Sequence, residues 1–138
     1  MAVPVTITAE TRQFTRKYLR TTRVKYMRAT RAVIHLENLR HNIGLVRRHI
    51  GTETRICMAV KADAYGHGVR EIVQTALQAG VESVAVATVE EGVELREAGV
   101  SAPILLLGFT TPAELPELVR YALSTVVGAE YQLAALGS

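Results

Sequence analysis

The chain is poor in residues that staple, stack or span. It has no tryptophan, two phenylalanines and one cysteine in 138 residues. One cysteine excludes an internal disulfide framework, and such a chain suits a reducing compartment. Cys57 lies in an apolar run, residues 56–60, where a small buried core residue is expected rather than a reactive thiol. No apolar run approaches the roughly 18 residues a membrane helix needs. His, Cys and Asp never cluster at ligand spacing, so no metal site is expected. Aromatics make up 5% of the chain and are not interleaved with its basic residues, which argues against a nucleic-acid surface. Low-complexity segments and long internal repeats are absent too.

Acids are scarce at the start of the chain. Residues 1–28 hold seven Lys/Arg against Glu10 alone, while the remaining residues hold nine against twelve acids. The formal charge of +3 therefore hides a mildly acidic body behind a basic N-terminal extension, residues 1–27. Its Thr/Arg-rich composition is like that of an organelle transit peptide, but the apolar stretch of a secretory signal is missing. A mobile or loosely helical tail is expected, not a nucleic-acid or membrane adaptor.

What is present is a soluble globular composition, 49% hydrophobic and 21% charged, long enough for one domain with a real core. Arg31–Leu36 reads as a short strand. Leu36, Leu39, Ile43, Val46 and Ile50 then recur at helical spacing, with Arg40, Arg47 and Arg48 outside and Gly51 as a stop. Four strand–helix units follow, with strands at Ile56–Lys61, Ser83–Ala87, Pro103–Leu107 and Leu123–Val127. Helical patterns follow Gly68, Thr88 and Thr111, and a last one runs from Glu130 to Leu136. Thr88–Glu91 has the spacing of a capping box, as has Thr111–Glu114 with Pro112 at the first helical position. Pro116 lacks an N–H, so that helix begins later or is kinked. Continuous apolar strands alternating with amphipathic helices imply an α/β fold with a parallel sheet covered by helices.

The stretch with chemistry in it is Ala59-Val-Lys-Ala-Asp-Ala-Tyr-Gly-His-Gly68. Lys61 stands at the C-terminal tip of an apolar strand, where open α/β folds place ligands. Low-dielectric surroundings disfavour an ammonium, and a neutral amine attacks carbonyls. The motif resembles the cofactor-lysine motif of alanine racemases, which are pyridoxal 5′-phosphate (PLP) enzymes of fold type III. Residues 28–36, 39–42, 84–92, 95–99 and 103–108 fall in the same order and spacing, so the likeness covers roughly residues 28–138.

That resemblance implies a TIM-like (β/α) barrel, with about half of its eight strands here. Residues 28–34 would be a strand joining a later β domain, and residues 35–138 the first half of the barrel. It implies PLP held as a Schiff base on Lys61, with Tyr65 at the cofactor phosphate and Leu107 bordering the pocket. Lys61 would exchange the α-proton of alanine on one face, and a tyrosine of a homodimer partner would serve the other. That tyrosine, the arginine at the pyridine nitrogen and the substrate-carboxylate ligands have no counterpart here. The implied role is L-/D-alanine interconversion in the cytoplasm, supplying D-alanine to peptidoglycan, with no nucleic acid or membrane as partner. The 138 residues alone are expected to be inactive. A racemase of serine or another small amino acid, and a non-catalytic PLP-binding half-barrel, are the alternatives. His35 stands where the family usually has an acid and reads as structural, as does His67; His41 and His49 read as helix-surface residues.

Overall fold

A computed structural model describes residues 32–136. The basic extension 1–27, most of the 28–34 strand and the last two residues lie outside them. Where that first strand can be seen, it is not formed. Residues 32–35 take no regular structure, and helix α1, Leu36–Ile50, begins at once. A lone strand needs a neighbour for its backbone groups, and no other described strand pairs with it.

The sheet has four strands in the order β1-β2-β3-β4, all parallel: β1 Cys57–Ala59, β2 Ser83–Val86, β3 Ile104–Leu106 and β4 Ser124–Thr125. Each is shorter than its apolar run. The connecting helices are α2 Val69–Gln78, α3 Val89–Glu97 and α4 Leu115–Arg120, with α5 Glu130–Leu136 after β4. Thr88 caps α3 as its spacing predicts, accepting from the Glu91 N–H. Pro112 does not open α4. The Glu114 carboxylate instead closes a turn on the Thr111 N–H and hydroxyl, and the helix starts at Leu115 with Pro116 in its first turn. A proline is tolerated there because that N–H has no helical acceptor anyway.

Parallel register puts paired residues on one face of the sheet. Val84 pairs with Ile104 and Val86 with Leu106. All four are buried, and they form one core with Val60, Ile72, Val73, Leu95 and Leu118. The alternate layer runs Ala59, Ala85, Leu105, Ser124. This second face is more open. Cys57 on it is exposed, contrary to the buried core residue expected from its apolar run. An apolar strand has two faces, and helices cover only one of these.

A second, smaller core of Ile43, Ala76 and Val81 joins α1 to α2. Val46 does not take part and is exposed. Arg47 is no free surface charge either. Its guanidinium donates to the carbonyls of Gly51, Thr54 and Gly80 and is ion-paired with Glu82. Glu82 also accepts the Ile56 N–H, at 2.7 Å. That amide, then the Arg47 guanidinium, hold the Glu82 carboxyl below its usual range, although burial opposes them. A carboxyl depressed on folding stabilises the fold above its unfolded pKa, about 4.3, and loses that effect as pH falls through the folded value. We expect the melting temperature to drop on acidification below about pH 4, and Glu82→Gln to flatten part of that drop. A melting profile over this range that Glu82→Gln leaves unaltered would contradict the pairing.

β1 and β4 are edge strands. Edges with free backbone groups beside an open apolar face recruit further chain. Leu107, Val126 and Val127 are exposed. The 138-residue polypeptide on its own should therefore sediment as a dimer or larger species. A monomer with a sharp cooperative melt would refute this.

Candidate active site

Lys61 follows β1 by two residues and is half-buried. The ladder reaches past the strand ends through Val60 N–H to Ala85 O, 2.8 Å, and Leu107 N–H to Val86 O, 2.9 Å. Beyond Ala59 the strand alternation ends, since Val60 has ψ of 18° and Lys61 opens the next turn. Leu107, directly after β3, is 47% exposed. The described residues leave Lys61 half-buried, without the full enclosure expected around the amine.

The third expected site residue, Tyr65, depends on an unusual turn. Lys61–Gly66 is helical, but Ala62, Asp63, Ala64 and Tyr65 have φ between 53° and 57° and are left-handed. For L-residues this costs roughly 1–2 kcal/mol each, and only glycine, asparagine and aspartate visit the region readily. The turn persists because its groups are held. Asp63 Oδ1 accepts the Val69 N–H at 2.7 Å, which also caps α2. His67 Nδ1 donates to Ala64 O at 2.8 Å, the structural role read from the sequence. Ala64 is buried in the main core. Ala62 N–H donates to Glu91 Oε1 at 2.7 Å. Tyr65 ends this turn 57% exposed, its ring free to meet a ligand.

Sequence reasoning missed three features of the site. Glu91 is read as a cap that reaches back to Thr88, but its carboxylate goes to Ala87 N–H and across to Ala62 N–H. Nothing in a capping pattern signals the second bond. Gly108 brings the chain against β2: a Cβ there would lie 2.3 Å from Ala87 O, so no side chain fits. Its place directly after an apolar strand is the available signal. Gln132 of α5 is buried and donates to Thr110 Oγ1 at 2.8 Å, while its own oxygen accepts the Gly128 and Ala129 N–H groups. Tyr131 Oη donates to Thr110 O as well, so the segments after β3 and β4 are fastened to each other. One glutamine directly before the apolar run Leu133–Leu136 is the trace this leaves in the sequence.

The residues fit an aldehyde cofactor. A primary amine stands two residues past the end of β1, and the exposed Tyr65 closes the turn that follows it. Among the described residues, no group of three or more His, Cys, Asp or Glu could hold a metal ion, and no helix is long and apolar enough to cross a membrane.

Comparison with known proteins places the chain in a family. The family model for the alanine racemase N-terminal domain matches residues 34–138. An alanine racemase of Treponema denticola is 48% identical over 101 residues, 73% of this chain and 27% of that protein. A serine/alanine racemase of Enterococcus gallinarum is 43% identical over 98 residues, 71% of this chain and 14% of its own length. The crystal structure of an E. faecalis alanine racemase superposes with a TM-score of 0.76 at 37% identity, covering 82% of this chain and 31% of the other. The chain spans about a quarter of the length of the first curated relatives it matches. The α/β architecture, the parallel sheet and a match over most of the sequence converge: the chain belongs to the alanine racemase family, within its N-terminal domain.

Proposed function

We propose that this sequence is the lysine-bearing part of a PLP-dependent alanine racemase, an isomerase interconverting L- and D-alanine. The observation that carries the reading is Lys61, two residues past β1 and directly before a strained left-handed turn ending in Tyr65. Strained backbone is concentrated where function fixes it. The names of the relatives support alanine as substrate.

When bound, PLP supplies the electron sink for the carbanion formed by loss of the α-proton. Lys61 Nζ would hold the cofactor covalently and, once released, take or return that proton on one face of the substrate. The Tyr65 hydroxyl would donate to the cofactor phosphate. Leu107, directly after β3, would exclude water from one side. The proton on the opposite face belongs to a residue contributed by a partner subunit, which makes a homodimer part of the proposal. A cytoplasmic enzyme supplying D-alanine to peptidoglycan is the setting we infer. One relative, a serine/alanine racemase, favours serine as a second substrate.

The test is an absorbance scan of the chain with added PLP, followed by borohydride reduction and mass mapping. A visible-edge band lost on reduction, with the mass addition on Lys61, supports the reading. An addition spread over surface amines, or none, sinks it.

A further inference from the structure

Beyond the residues that would touch the cofactor, one carboxylate holds the lysine in place. We propose that Glu91 is a positioning residue for Lys61, fixing the peptide between Lys61 and Ala62; this rests on the reading of Lys61 as the PLP lysine.

The first amides of any helical turn have no acceptor within it. In the left-handed turn after Lys61, one such amide is Ala62 N–H, and Glu91 Oε1 accepts it at 2.7 Å. The peptide unit is planar, so that N–H and the Lys61 carbonyl turn together. Holding the amide therefore sets ψ of Lys61, and with it the start of the turn. The carboxylate is itself held. Its other oxygen accepts Ala87 N–H at 2.7 Å, at the end of β2, and its backbone sits in the capped first turn of α3. Val89 and Leu95, on the same helix, are in the core, so the anchor is rigid. Asp63 and His67 tie the loop to itself and to the α2 helix that follows it directly. Glu91 ties it to the next strand–helix unit, twenty-nine residues on. Its two partner amides follow the ends of β1 and β2, so one carboxylate spans two neighbouring strand ends. An acceptor bearing charge makes each of these bonds stronger than a neutral one.

The experiment compares the 138-residue chain with its Glu91→Ala, Glu91→Gln and Thr88→Ala forms. Two readouts are taken: hydrogen exchange at the Ala62 and Ala87 amides, and the rate of borohydride-trapped PLP attachment at Lys61. Glu91→Ala should speed Ala62 exchange and slow attachment, each by about tenfold or more. Glu91→Gln keeps volume with a single acceptor oxygen and should fall between; it also serves if the alanine form unfolds. Thr88→Ala loses the helix cap but keeps the carboxylate, so it should lower the melting temperature and alter neither readout. Unchanged Ala62 exchange and attachment in Glu91→Ala would overturn the proposal. So would a Thr88→Ala form that loses attachment equally, since that is general loosening. If the unsubstituted chain takes no PLP at Lys61 while Ala62 exchange still responds to Glu91→Ala, the cofactor reading falls and the clamp on the Lys61–Ala62 peptide stands.

Discussion

Lys61→Ala should abolish trappable PLP attachment to the chain, and in a full-length racemase carrying this sequence it should lower turnover by at least about 10²–10⁴-fold. The size follows from two functions lost together. Lys61 is the one lysine among the described residues, and the same nitrogen would move the α-proton. Lys61→Arg separates charge from chemistry, because a guanidinium stays protonated and cannot take the amine's place. It should be as inactive as the alanine form while preserving the positive charge. A coupled D-alanine assay reads turnover, and reduction with mass mapping reads attachment. Ordinary turnover in Lys61→Ala would remove the chemical basis of the proposed function. Loss of turnover with attachment intact would leave the cofactor held elsewhere and refute the assignment of the amine.

The second large effect concerns stability. Arg96 of α3 donates to four backbone carbonyls: Tyr121 at 2.9 Å, Val100 at 2.7 Å, Ala102 at 2.7 Å and Ala122 at 3.0 Å. These lie in the segments leading into β3 and β4. Ala122 has φ of 48°, so the bond also steadies a strained residue. Bonds to a charged donor are worth more than neutral ones, but the site is only partly buried and water replaces some of what is lost. We expect Arg96→Ala to cost about 2–4 kcal/mol, seen as a lower urea midpoint. Arg96→Lys should recover only a fraction, since a point charge on a flexible stem cannot serve four carbonyls as a planar fork does. A change under about 0.5 kcal/mol would show that solvent takes over all four acceptors.

Much of this architecture is legible because its patterns are local. Periodicity and Gly51 give α1 its observed bounds, Leu36–Ile50, and α5 spans Glu130–Leu136, as its pattern predicts. The α/β class follows from apolar strands set between helices. What escapes is long-range or depends on a face. Cys57 and Met58 are both apolar neighbours in one strand, yet Cys57 is exposed and Met58 packs on the core. Composition cannot tell the two sides of a strand apart. Arg47 looks like any outer-face arginine, and its acceptors at Gly80 and Glu82 are more than thirty residues away. Lys61 is legible from its place at the end of an apolar run, Tyr65 and Leu107 only through resemblance, and the reach of the Glu91 carboxylate to Ala62 through neither. The left-handed torsions have a faint local sign in Asp63 and the small residues around it, but alanine has no such preference on its own.

The reversed hand of residues 62–65 has a stereochemical corollary. By mirror symmetry, a D-residue would occupy those torsions at its own energy minimum, where L-alanine is the disfavoured enantiomer. Directly after Lys61, the chain thus keeps a short stretch whose inborn chirality is opposed by the shape the fold imposes on it.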